Sequence, residues 1–376
     1  MKYRKLGPLD VEVSALGFGA MRLPTVTGGD DVDEQQAVEM IRWAIDEGVN
    51  YVDTAWPYHG GQSETAVGAA LADGYRQRVY LATKLPVWDV KQLDDCDRFL
   101  DEQLRRLRTD RIDFYLLHCL NKQRWPAMRD LGVLDWAERA RADGRIGRIG
   151  FSFHDSFDAF REIVDGYDWS LCQIQYNYVC EDVQAGTEGL RYAAEKNLAV
   201  VVMEPLFGGT LAAPPESVRR VLDEADTDAT PVELALRWLW NMPEVALVLS
   251  GMTEIEQVRQ NVATAGRSGV AAMDDAELAL VARMAETYRQ LSPIPCTKCG
   301  YCLPCPNGVD IPGNFELYNN ATVQKGSSFG LCKNLYAMQP ETRRAAACVQ
   351  CGQCEEHCPQ SIPISQWMPR VDEKFA

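Results

Sequence analysis

Residues 48–58 read Gly48-Val49-Asn50-Tyr51-Val52-Asp53-Thr54-Ala55-Trp56-Pro57-Tyr58. A short β-branched and aromatic run ends on a carboxylate, and a loop carrying a phenol follows. Just upstream, Asp33 to Glu47 puts Ala37, Met40, Ile41 and Ala44 on one helical face, with Asp33 set to cap the amino end. Helix, strand and polar strand end form one unit, and that unit recurs outward along the chain. Apolar runs begin at Ala15 to Gly19, Tyr51 to Asp53, Val79 to Thr83, Asp113 to Leu117, Ile146 to Phe151, Cys172 to Tyr176, Val200 to Met203 and Val245 to Leu249. Amphipathic stretches separate them, among them Gln92 to Leu107 and Thr253 to Ala263.

Eight strand-then-helix units in about 250 residues predict a parallel (β/α)8 TIM barrel. The rival, an open doubly wound sheet, wants G-x-G-x-x-G after an early strand. Gly17-Phe18-Gly19 is followed by Ala20-Met21-Arg22, so that fingerprint fails.

In such barrels the chemistry lies at the carboxyl ends of the strands. The residues expected there are Asp53, Lys84, His118, Ser152, Gln175, Glu204 and Gly251, with Tyr58 on a loop. A buried ammonium at Lys84 needs a counter-charge, which Asp53 can supply. A nearby ammonium favours a phenolate, so it eases proton donation by Tyr58. A neutral His118 can donate an N–H to a carbonyl oxygen. The set suits protonation of a carbonyl oxygen while a hydride reaches the carbon. Trp56, Tyr58, Trp88 and Phe153 are candidates for the pocket wall.

These segments resemble the aldo-keto reductases over roughly residues 1–290. Gly48 to Ala55 matches, as do Tyr58 with Gly60, Ser63, Glu64 and Gly68, then Ala82-Thr83-Lys84 and Asp113 to His118. Ile149 to Ser152, Gln173 to Asn177 and Pro205-Leu206 with Gly208-Gly209 continue the resemblance. It implies NAD(P)H-dependent carbonyl reduction, with Tyr58 as general acid, Lys84 and Asp53 tuning it, and His118 orienting the substrate. It implies a cofactor held by Ser152, Gln175, Met203, Pro205, Leu206, Gly251, Gln257 and Asn261. Many members have Asn after the serine and Tyr at the Met203 position; here Phe153 and His154 follow Ser152. Arg259 is the nearby base for a 2′-phosphate, with Glu254 and Glu256 flanking the segment, so the residues do not choose between NAD and NADP.

The thirteen cysteines are uneven: four lie in the first 295 residues and nine in the last 81. Ser292-Pro293-Ile294-Pro295 marks the change, which suggests a barrel over 1–290 and a smaller C-terminal α-helical ferredoxin-like domain over 291–376. The tail reads Cys296-x2-Cys299-x2-Cys302-x2-Cys305-Pro306, then Cys348-x2-Cys351-x2-Cys354-x3-Cys358-Pro359. The second run has two-cluster ferredoxin spacing, and the first is one residue short in its last gap. In such proteins the last Cys of each run serves the other cluster. One 4Fe-4S cluster is therefore expected on Cys296, Cys299, Cys302 and Cys358, and another on Cys348, Cys351, Cys354 and Cys305. Zinc favours separated Cys pairs, and disulfides need an oxidising compartment. Cys332 reads as a packed thiol outside both sets. Helices are expected at Pro312 to Asn320 and Glu341 to Ala347. The whole chain resembles the iron–sulfur-bearing branch of that family.

With 38 Lys and Arg against 54 Asp and Glu, the net charge of −16 argues against nucleic acid. No apolar run approaches the ~20 residues of a membrane span. Asp10 and Glu12 interrupt any signal-like start, so a cytoplasmic location is expected. Three readings stay open. One is NAD(P)H-driven reduction of a small carbonyl substrate. Another is a reductase fed by ferredoxin or another redox protein, with a flavin as bridge although no flavin motif is present. The third is a non-enzymatic nucleotide or redox sensor.

Overall fold

The computed structural model describes residues 1–26, 31–291, 293–323 and 327–376; Ser292, at the head of the expected boundary, lies outside them. The chain divides into two compact units, 1–205 with 232–274, and 206–231 with 275–376. By packing, 206–231 and 275–291, read above with the barrel, thus group with the Cys-rich part.

The first unit starts with an antiparallel hairpin, β1 (Tyr3–Lys5) on β2 (Glu12–Ser14). Eight parallel strands follow: β3 (Leu16–Gly19), β4 (Tyr51–Asp53), β5 (Tyr80–Leu85), β6 (Ile112–Leu120), β7 (Ile146–Phe153), β8 (Leu171–Gln175), β9 (Ala199–Met203) and β10 (Val245–Gly251). They run in sequence order and close as a barrel, with β10 pairing β3 at Val248↔Leu16. Each of the eight expected strands is present.

These strands read as near-continuous apolar runs because both faces are covered. Leu116, Val201, Leu247 and Tyr51 fill one continuous core with Leu6 and Val13 of the hairpin region. Each such side chain contributes about 1.5–3 kcal/mol through burial. Outside, the helix Glu34–Asp46 is capped as expected, with the Asp33 carboxylate accepting from the Gln36 N–H at 3.0 Å. Helix Leu93–Leu107 starts at a Gln92/Asp95 capping box, and Ile255–Gly266 starts two residues later than its sequence pattern suggests.

The second unit is helical: Glu216–Asp223, Asp275–Leu291, Ile311–Val323, Ser327–Met338 and Ile364–Phe375. Ile294, Val309, Phe315, Ile362, Met368 and Phe375 build its own core, and six of the tail cysteines pack against it. The helix expected at Glu341 to Ala347 is instead two 3-10 turns. Arg344 between them is extended, with φ −73° and ψ 158°. Among the described residues, no helix is long and apolar enough to cross a membrane.

Candidate active site and candidate metal centre

Asp53 ends β4, Lys84 is the next-to-last residue of β5, and His118 lies near the end of β6. The Lys84 Nζ donates to Asp53 Oδ1 at 2.7 Å, to Asp53 Oδ2 at 2.8 Å and to the Thr54 carbonyl at 2.8 Å. These three contacts occupy the donors of the ammonium, and both charged groups are buried. Burial raises the Asp53 carboxyl above its ordinary range, while the Lys84 ammonium opposes that shift.

Tyr58 enters from the turn after β4. Thr54 and Ser63 pair hydroxyls at 2.8 Å, and Ser63 donates to the Ala20 carbonyl, which fixes that loop. The Tyr58 ring centroid lies 5.1 Å from the Lys84 Nζ and 6.0 Å from the His118 ring, edge to face. Trp88 packs 5.0 Å from His118 on another side. All four residues expected together are therefore brought together. Phe153 is fully buried against Phe160, and Trp56 lies under the Arg106 guanidinium at 3.8 Å and against Phe99. Of the four aromatics, only Tyr58 and Trp88 gather around His118.

Behind Lys84 runs a buried polar network in which Glu64 and Thr83, both in segments that carry the resemblance, meet Gln103 and Arg106, which no motif marks. Glu64 accepts from Thr83 at 2.7 Å and from Gln103 at 2.6 Å, and Arg106 reaches its other oxygen at 3.2 Å. Gln103 also donates to the Lys84 carbonyl at 3.0 Å and accepts from the Tyr115 hydroxyl at 2.7 Å. A fully bonded amide there pins the strand that carries Lys84.

Burial holds His118 well below an ordinary histidine, and the positive charges of Lys84, His154 and Arg124 add to this. His154, bonded to Gln184 at 3.1 Å, is held down to about 4, again chiefly by burial. His59, lowered mainly by burial, accepts from the Leu23 N–H at 3.0 Å. These rings are neutral in the fold and take protons more readily once unfolded. Their stability contribution is thus present above pH ~6.5 and lost as pH falls below it. The raised carboxyls of Asp53 and Glu64 act with the opposite sign. The diagnostic is therefore a difference. Urea midpoints of the wild type should fall more steeply from pH 7 to pH 5 than those of His118→Asn, and parallel curves would refute the neutral buried ring.

The expected cofactor residues are spread along β7 to β10. The Ser152 hydroxyl accepts from the Cys119 N–H at 2.8 Å. Register sets Gln175 beside Met203, and Gln184 reaches the Gln175 side-chain oxygen at 3.4 Å. Met203 Sδ lies 3.6 Å from the Gln173 amide nitrogen. Pro205 ends the first unit, while Leu206 opens the second, its carbonyl accepting from Gly209 and Leu211. Around the exit of β10, Gly251 is exposed, Gln257 accepts from the Thr253 N–H at 2.9 Å, and Asn261 donates to Ser250 at 3.1 Å. Arg259 pairs with Glu256 at 3.5 Å on an exposed helix face.

In the second unit, Cys296, Cys299, Cys302 and Cys358 line one cavity, walled by Ile311, Phe315, Ile362 and Ile364. Cys296 and Cys358 also act on Cys302 electrostatically, as Cys348 and Cys305 act on Cys354. Burial pushes the Cys296 and Cys354 thiols up to about 11. Positive irons would offset that cost for thiolates. Among the described residues, no three Cys, His, Asp or Glu groups close on a site for a single metal ion. Four thiols around an apolar-walled cavity suit a cluster, which spreads its ligands apart. Cys332 is buried in the helical core, away from either set of ligand spacings.

A closed parallel barrel with a buried Lys–Asp pair beneath a tyrosine, joined to a cysteine-lined helical unit, defines an oxidoreductase with an iron–sulfur module. The chain belongs to the aldo/keto reductase family, which it matches over residues 15–276, and a 4Fe-4S dicluster domain matches residues 295–362. It is 27% identical over 338 residues to the NADH-specific methylglyoxal reductase of Escherichia coli K12, spanning 77% of this chain and 100% of that one. It is 27% identical to a probable aldo-keto reductase of Glycine max, over 69% of this chain and 82% of the relative. Among solved structures, the holo form of a Bacillus halodurans aldo-keto reductase is similar at TM-score 0.64 and 27% identity, covering 77% of this chain and 99% of that one. An aldo/keto reductase from Klebsiella pneumoniae in complex with NADP and acetate is similar at TM-score 0.59 and 27% identity, covering 76% and 96%.

Proposed function

We propose that the protein reduces a small aldehyde or ketone to the alcohol, with NADH or NADPH supplying the hydride when bound. The observation that carries this reading is the Lys84 ammonium, locked on Asp53 and set 5.1 Å from the Tyr58 ring. Neutral His118 donates an N–H to the substrate carbonyl oxygen and orients it. Tyr58 gives its proton to that oxygen as the carbon is reduced, so the oxygen stays on the carbon as the hydroxyl of the alcohol. Lys84 stabilises the phenolate left behind, and Asp53 keeps Lys84 in place. The methylglyoxal reductase relative and the NADP-bound neighbour support a small carbonyl substrate and a nicotinamide cofactor. Ser152, Gln175, Met203, Pro205, Leu206, Gly251, Gln257 and Asn261 are the residues proposed to hold it.

The tail is proposed to carry two 4Fe-4S clusters, one on Cys296, Cys299, Cys302 and Cys358, the other on Cys348, Cys351, Cys354 and Cys305. When bound, the clusters supply one-electron redox chemistry or a structural cross-link.

The test is anaerobic assay of the holoprotein with methylglyoxal and other small aldehydes, following NADH and NADPH oxidation. Tyr58→Phe should lower kcat by ~100- to 10,000-fold, the range for loss of a general acid. A Tyr58→Phe enzyme within threefold of wild type would remove Tyr58 from the mechanism.

A further inference from the structure

Between Leu117 and Leu120, β6 slips out of register with β7. His118 and Cys119 fill that irregularity, and Cys119 takes a left-handed φ of +54°. Bulges beside active sites re-aim side chains and backbone groups. Here the Cys119 N–H donates to the Ser152 hydroxyl at 2.8 Å, and the Cys119 carbonyl accepts from Arg124 Nη1 at 3.0 Å. The Asn121 side-chain oxygen accepts from the Arg124 backbone N–H at 2.7 Å, which fixes the chain beneath the guanidinium. That guanidinium lies 5.5 Å from the centre of the Trp88 ring, and the same ring lies 5.0 Å from His118. One indole thus touches both the guanidinium and the group that orients the substrate carbonyl.

Arg124 has no part in the proton transfer described above. It is half-buried and makes no ion pair among the described residues. One N–H goes to Cys119, and the rest of its donor fork has no protein acceptor among those residues. The nearby acids are engaged or exposed. Asp53 is held by Lys84. Asp155 accepts from the Lys122 N–H at 2.8 Å and the Ser156 N–H at 2.6 Å. Asp89, next to Trp88, is exposed. Lys84 is matched by Asp53 and His154 is neutral at pH 7, so Arg124 adds excess positive charge at this mouth. A half-buried guanidinium that stacks on a ring and lacks an acceptor suits a planar anion.

We infer that Arg124 binds a carboxylate on the substrate, so the preferred substrate is an oxo acid, not a neutral aldehyde. The inference rests on the carbonyl-reduction reading above and deepens it. The carbonyl carbon takes a hydride from NADH or NADPH, and its oxygen takes the Tyr58 proton. The products are the hydroxy acid and the oxidised nucleotide, with the carboxylate unchanged. The guanidinium fork matches two carboxylate oxygens and cancels one negative charge. A phosphate would bring close to a second negative charge, which Arg124 alone leaves unmatched.

The full-length holoprotein is assayed anaerobically, with NADH and with NADPH, on succinic semialdehyde, its neutral methyl ester and glyceraldehyde phosphate. The wild type should prefer the acid to the ester by about tenfold or more in kcat/KM, the scale of one charge-assisted hydrogen bond. Arg124→Gln should abolish that preference by raising KM for the acid, with the ester reporting on the fold. Arg124→Lys should restore part of it, because the charge returns without the planar fork. A preference that survives Arg124→Gln, no preference in the wild type, or a phosphorylated aldehyde favoured over the acid overturns the inference. If no aldehyde is turned over, the carbonyl-reduction reading fails. Calorimetric binding of succinic semialdehyde to the wild type but not to Arg124→Gln then still upholds the Arg124 site, and equal or absent binding sinks it.

Discussion

Lys84→Met should lose both activity and stability, by amounts that can be separated. Turnover of a small aldehyde should fall by about a thousandfold, within the range for a disabled acid. The folded state should lose about 3–5 kcal/mol, the cost of removing one partner from a buried ion pair. The Lys84 ammonium satisfies both Asp53 oxygens and the Thr54 carbonyl, all out of contact with water. Without it, a carboxyl already raised by burial must take a proton or remain an unpaired buried charge. Asp53→Leu on top of Lys84→Met removes that charge, so the double variant should regain stability in urea unfolding. It should not regain turnover, because the cation beside Tyr58 is still missing. A single variant that keeps activity within threefold would show that the ammonium does not act on the phenol.

The reason this site could be found in sequence is geometric. Asp53, Lys84 and His118 each close a short apolar run, and a parallel barrel gathers strand ends at one mouth. The partners behind them leave no such mark. Gln103 is one amide on an amphipathic helix, and nothing in its spacing says that it bonds Glu64, Tyr115 and the Lys84 carbonyl at once. The opening hairpin was equally hard to read, since Tyr3–Lys5 and Glu12–Ser14 are three-residue strands interrupted by charges. In the tail, the helices Ser327–Met338 and Ile364–Phe375 carry a glycine and an internal proline, which weaken any helical pattern. Phe153 misled in the opposite direction. An aromatic beside Ser152 looks like a pocket wall, but strand alternation turns it outward onto Phe160.

Cys358→Ala should halve the iron of the purified protein, from about eight atoms per chain to about four. Its main value lies in double variants that read how the clusters are wired. Cys358 belongs by sequence to the second run, yet it lines the cavity of Cys296, Cys299 and Cys302. Cys305 belongs to the first run, yet it acts on Cys354 together with Cys348. If the ligands cross over in this way, Cys358→Ala with Cys299→Ala strikes one cluster twice, and iron stays near four. Cys358→Ala with Cys351→Ala strikes both, and iron approaches zero. Wiring within each run predicts the reverse for the two pairs. Iron and acid-labile sulfide counts on anaerobically prepared protein distinguish the two patterns, because each expected value differs by a whole cluster.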